Sequence, residues 1–141
     1  MEARKLRDQL RLCGAIVFCW VYIPHLLLYW IKGGLRRTVN ADLDRRIDKT
    51  QLRMGHGLML LYYLHSDRYF RNLFYHRIGP IMEKLIGWWH PGDRYFVISK
   101  TTKIGEGAYF AHPFACEINA KSIGKKFFMS SSDNSRQQTR W

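Results

Sequence analysis

The spacing of hydrophobic positions along the chain changes twice. From Leu12 to Ile31 no Asp, Glu, Lys or Arg interrupts an apolar run that is long enough for a helix to cross a bilayer. Two residues inside it argue against a straight span. Pro24 removes a backbone donor and kinks a helix, and His25 puts a polar group where a bilayer would be driest. Arg4, Lys5, Arg7 and Arg11 precede the run and Lys32, Arg36 and Arg37 follow it, so basic flanks give no orientation. The pattern predicts a segment that lies in, or dips into, a membrane face, with Trp20, Tyr22, Tyr29 and Trp30 at headgroup level. A true span and a buried core helix are the alternatives. Gly33-Gly34 is expected to end the segment, and without a small-residue cleavage site the run does not resemble a signal peptide.

The middle of the chain has helical spacing. Asn40 to Asp48 is dense in charge and predicts a polar helix or linker with a solvated face and no chemistry. Met54 to Leu64 predicts a buried helix, and Ser66-Asp67 an N-cap for a second helix running to about Arg77. Phe70, Leu73 and Phe74 recur at helical intervals and face a core, so the two helices form an αα-hairpin. Arg68, Arg71 and His76, interleaved with Tyr69 and Tyr75, have the composition of a base-stacking surface, but no nucleic-acid motif accompanies them and no nucleic-acid partner is assigned. Gly79-Pro80 stops the helix, Ile81 to Trp89 is a further short apolar segment, and His90-Pro-Gly-Asp93 closes the helical part.

From Tyr95 the period becomes six. Ile98, Ile104, Phe110 and, loosely, Cys116 recur at that interval, and aliphatic-glycine pairs stand at Ile104-Gly105 and Ile123-Gly124, with a slip of one residue between Cys116 and Ile123. A hexad with an inward aliphatic side chain is the sequence mark of a β-helix in which each hexad supplies one flat side of a triangular coil. Two coils at most are visible. The expected fold is α+β, N-terminal helices followed by the first coils of such a β-helix.

Composition narrows the class. The 141 residues allow one ordinary domain, and 47% hydrophobic residues with 24% charged ones exclude both a disordered chain and a polytopic membrane protein. A formal net charge of +12 favours anionic partners: acidic lipid, nucleic acid or a phosphate-bearing cosubstrate. Cys13, Cys19 and Cys116 form no CxxC pair, which points to a reducing compartment and no disulfide scaffold. No His/Cys spacing suggests a metal site.

The stretch Lys103-Ile-Gly-Glu-Gly-Ala-Tyr-Phe-Ala-His-Pro-Phe-Ala115, continuing through Ala120-Lys-Ser-Ile-Gly124, resembles the opening coils of serine O-acetyltransferases and their polysaccharide-locus relatives. Phe70-Arg-Asn-Leu-Phe-Tyr-His-Arg77 resembles the helix that precedes those coils, so the resemblance runs from about Asp67 to Phe128. It implies a left-handed parallel β-helix, a homotrimer in the full-length form, and transfer of acetyl from acetyl-CoA to a hydroxyl, serine being the best-known acceptor. His112 matches the catalytic histidine, the base that such a transfer needs because a serine hydroxyl is barely ionised at neutral pH. It also implies a cleft completed by a neighbouring subunit.

Two departures bear on that expectation. The family places an aspartate fifteen residues before its histidine, to orient and stabilise the imidazole, and here that position is Val97. Pro113-Phe114-Ala115 replaces the small, glycine-containing residues that follow the family's histidine, so another hydroxyl, such as a sugar's, is an alternative acceptor.

Residues 129–141 form a polar tail without glycine. Read one base later, their codons permit a Val-Gly pair two hexads after Ile123-Gly124, which predicts a frameshifted and C-terminally truncated acyltransferase with impaired activity. The expected organisation is a membrane-associated segment over 1–35, a helical region over 36–92, an incomplete hexapeptide β-helix over 93–128 and the tail. The expected location is cytoplasmic, at the inner face of a membrane. A non-enzymatic membrane-anchoring or interaction protein with a vestigial β-helix is the alternative.

Overall fold

The computed structural model describes residues 2–50 and 52–130. Among these, six α-helices precede six short strands: α1 (Glu2–Val17), α2 (Ile23–Ile31), α3 (Gly33–Asp44), α4 (His56–Ser66), α5 (Arg68–Ile78) and α6 (Pro80–Ile86), then β1 (Phe96–Ile98), β2 (Lys103–Ile104), β3 (Tyr109–Ala111), β4 (Cys116–Ile118), β5 (Ser122–Ile123) and β6 (Phe128–Ser130). The fold is therefore α+β.

Each strand pairs in parallel with the strand three further along: β1 with β4, β2 with β5 and β3 with β6. The chain thus passes twice through the same three strand positions. The registers put Phe96 beside Cys116, Ile104 beside Ile123 and Phe110 beside Met129. On the first face the alternation of a strand points Phe96 and Ile118 inward and leaves Val97 and its register partner Glu117 exposed. The hexad at Cys116 is loose for this reason. Cys116 stacks on Phe96 at the start of the face, and Ile118 at its end is the more deeply buried of the two. The pattern also runs on through β6 to Ser130, beyond the expected boundary at 128. Residues 131–141, and with them most of the polar tail, lie outside the described residues.

Helix α5 joins two cores. Asp67 caps it as expected, its carboxylate accepting from the Tyr69 and Phe70 backbone N–H groups at 2.9 and 3.0 Å. Phe70 and Phe74 then pack into the helical core with Leu43, Leu60 and Leu64, while Tyr69 and Leu73 pack with Phe96, Ala108, Phe110 and Ile118. Each fully buried side chain of this kind contributes about 1.5–3 kcal/mol.

The charged stretch over 40–48 is not merely a solvated face. Asp42 and Arg46 are 1% and 0% exposed and tie the helices to the strands. Asp42 accepts from Arg77 Nε and Nη2, both at 3.1 Å, and from the backbone N–H groups of Gly107 and Ala108 at 2.8 and 2.9 Å. Arg77 donates onward to the Ile104 and Gly105 carbonyls, and Arg46 donates to the Ala108 carbonyl at 3.3 Å. Arg46 also lies over the rings of Phe70 and Tyr109, 4.9 and 4.6 Å from their centroids.

The apolar run likewise departs from expectation. It breaks after Val17, passes through a turn of 3₁₀ helix at Cys19–Tyr22, and resumes as α2 at an angle of 69°. Pro24 lies in the first turn of α2, where its missing N–H costs nothing, so it starts a helix instead of kinking one. Gly33 and Gly34 open α3, with Lys32 alone between α2 and α3. No single helix among the described residues is long and apolar enough to cross a membrane. Of the four aromatic residues expected at headgroup level, Tyr22 and Tyr29 are buried and Trp20 and Trp30 are exposed.

Candidate active site

His112 stands at the corner between β3 and β4, two residues after the inward Phe110. The corner closes tightly, since Phe114 N–H donates to the His112 carbonyl at 2.8 Å. To make that turn His112 adopts φ 52°, a left-handed conformation that costs a non-glycine residue about 1 kcal/mol or more. Ala115 and Lys126 share it, so positive φ belongs to the corners of this fold, and at His112 it presents an exposed imidazole. The ring meets Tyr69 of α5 edge-on, with centroids 6.0 Å apart.

That imidazole lines a cleft of about 380 Å³ built within one chain. Arg7 and Arg11 come from α1, one helical turn apart, Tyr69 from α5 and Tyr109 from β3. Lys49 and Arg68 add positive charge at its edge, and Asp8 and Asp67 add carboxylates. Asp8 is buried and accepts from the Tyr62 hydroxyl at 3.0 Å. Burial, reinforced by Asp8, pushes the Tyr62 hydroxyl's pKa up and keeps it a donor. Arg68 pairs with Asp93 at 2.9 Å while lying over the Tyr69 ring. Arg71 is committed to the fold, donating to the carbonyls of Leu64, His65 and Pro91. His76 meets the Thr102 carbonyl at 2.9 Å, so this part of the basic-aromatic surface read from the sequence also serves packing.

Val97 lines a different cleft, of about 370 Å³, together with Asn72, His76 and Glu83. Positions 97 and 112 therefore stand at the walls of separate clefts. Among the described residues no group of His, Cys, Asp and Glu has the arrangement of a metal site.

The sequence singled out His112 and missed the rest of its cleft. Arg7 and Arg11 were legible only as part of the basic flank of the apolar run, and nothing local says that α1 returns against α4, over which the cleft opens. Asp67 was legible as a cap, and its place in the cleft follows from where α5 begins.

No family model, no curated protein and no solved structure matches this chain.

Proposed function

We propose that this protein is an O-acetyltransferase of impaired activity that moves acetyl from acetyl-CoA to the hydroxyl of a small acceptor such as serine, with His112 as the general base. The observation that carries the proposal is the presentation of His112, exposed at a tight corner of the strand region and opening onto a cleft edged by cations. The neutral imidazole takes the acceptor's hydroxyl proton as the oxygen attacks the thioester carbonyl. Collapse of the tetrahedral species breaks the C–S bond, and the leaving thiolate takes the proton back from the imidazolium to give free CoA. Arg7, Arg11, Lys49 and Arg68 suit the carboxylate of an amino-acid acceptor or the phosphates of the donor. The Tyr69 edge is the ring neighbour of His112, where the resemblance would place an aspartate at position 97 to orient the imidazole.

The resemblance further implies that the paired strands belong to a left-handed β-helix, and that a homotrimer supplies the rest of the donor site. The test is CoA-thiol release from acetyl-CoA with and without acceptor. Release should depend on acceptor and fall by more than about a hundredfold in His112→Ala, with circular dichroism unchanged. Acceptor-dependent release that survives His112→Ala would remove His112 from the reaction.

A further inference from the structure

Three helices, α1, α2 and α6, carry apolar residues on the outside. Helix α2 exposes Ile23, Leu27, Trp30 and Ile31, at the i, i+4, i+7, i+8 spacing of one helical stripe, and buries His25 and Tyr29 on the opposite side. Helix α1 exposes Leu6, Leu10 and Val17 while burying Asp8 and Ala15. Helix α6 exposes Ile81 and Leu85, and the stripe continues into Trp88 and Trp89 just beyond its end. In α2 polarity is reversed relative to a helix packed on a protein core in water, whereas α1 and α6 also turn apolar residues, Leu12 and Ala15 in α1 and Met82 and Ile86 in α6, toward the core. The stripes meet where Trp20 touches Trp89, with centroids 6.4 Å apart.

Charge and residue type indicate what covers this surface. Four of the protein's five tryptophans, Trp20, Trp30, Trp88 and Trp89, are 57–71% exposed there, and Trp is the side chain best suited to a headgroup boundary. Cations border the apolar stripes: Lys32 follows Ile31, Lys84 precedes Leu85, and Arg36 lies 5.6 Å over the Trp30 ring. The 69° bend between α1 and the segment Cys19–Ile31 suits two arms lying along a surface, since neither helix is long and apolar enough to cross one. We infer that this face docks the protein onto an anionic lipid bilayer, inserting Trp20, Trp30, Trp88 and Trp89 to headgroup depth while Lys32, Arg36 and Arg37 contact acidic headgroups. The docking does not depend on acetyl transfer.

The test uses the full chain carrying Trp141→Phe, which leaves only the four tryptophans of this face, and vesicles of phosphatidylcholine alone or mixed with phosphatidylglycerol. With phosphatidylglycerol present, emission shifts to shorter wavelength, lipids brominated on the acyl chains quench it, and the protein co-sediments. Lys32→Glu/Arg36→Glu/Arg37→Glu lowers partitioning by more than about tenfold. Trp20→Ser/Trp88→Ser/Trp89→Ser does the same, whereas Phe114→Ser, an exposed aromatic in the strand region, does not. Absence of lipid binding, or binding indifferent to the triple Trp substitution, overturns the inference. So does self-association in sedimentation equilibrium that the triple substitution abolishes without any lipid binding, because a second copy would then cover the face.

Discussion

Replacing Asp42 by alanine should separate the helical part from the strands. The carboxylate satisfies four donors at once: two from Arg77, which is itself 9% exposed, and the backbone N–H groups of Gly107 and Ala108. Burial pushes the Asp42 pKa up against the pull of Arg77, so the intact pair adds little net stability and its main effect is to fix register. Removing one partner is another matter. The substitution leaves a nearly buried guanidinium uncompensated and strips two backbone donors, and breaking a buried pair in this way costs about 3–5 kcal/mol. A domain of this size holds about 5–15 kcal/mol in all, so Asp42→Ala should approach the limit of folding. Asp42→Asn keeps an acceptor for the two N–H groups and should fall between. The control is Asp44→Ala, whose exposed pair with His56 contributes about 0–1 kcal/mol. Urea unfolding followed by circular dichroism gives the difference, and amide exchange at Gly107 and Ala108 should accelerate. A loss for Asp42→Ala equal to that of Asp44→Ala would refute the reasoning.

Other consequences follow from the packing. Tyr75 donates its hydroxyl to the His90 carbonyl at 2.7 Å and so accepts from His25 Nε2 at 3.3 Å, which fixes the His25 tautomer and leaves its buried Nδ1 without a partner. Burial, then the neighbouring His90, hold His25 down to about 4. A neutral folded-state imidazole stabilises fully above its unfolded pKa, so about 3 kcal/mol is lost as pH falls from about 6.5 to about 4. Unfolding titrations should show that slope added to one from His90, which burial also holds down to about 4, and His25→Gln should reduce the total. A full slope in His25→Gln would assign it elsewhere. Gly105→Ala places a Cβ 2.6–2.8 Å from the Lys125 and Gly124 backbone and should cost roughly 1–3 kcal/mol, while Gly124→Ala meets nothing within 4 Å and should melt with the parent. Equal melting temperatures for the two would count against the stacking of β2 on β5. Phe110→Ala empties a site shared with Phe96 and Phe127 and should cost about 3–5 kcal/mol by the same titration.

What the sequence made legible is what local rules decide. The cap at Asp67, the α4–α5 hairpin and the two aliphatic-glycine pairs follow from spacing within a few residues, and the structure keeps all of them. The roles of Asp42 and Arg46 were not legible. A charged helix with Asp and Arg one turn apart looks solvated until the strands arrive from more than sixty residues away to bury it. The apolar run was only partly legible, for the complementary reason. Its polar His25 reads as a misfit in lipid, yet it is the side chain the core takes in, and the aliphatic stripe is what remains outside. His112 was found by motif, whereas Arg7 and Arg11 in its cleft come from α1, a helix that periodicity alone cannot place.

The central claim is acetyl transfer at the His112 cleft, and the most direct test is the product. The purified protein, isotope-labelled acetyl-CoA and serine should slowly accumulate label on the serine oxygen, as expected of an impaired enzyme, seen by mass spectrometry and NMR, with none formed by His112→Ala. Label on no acceptor across serine, other hydroxy-amino acids and simple sugars, from protein shown to be folded, would contradict the account.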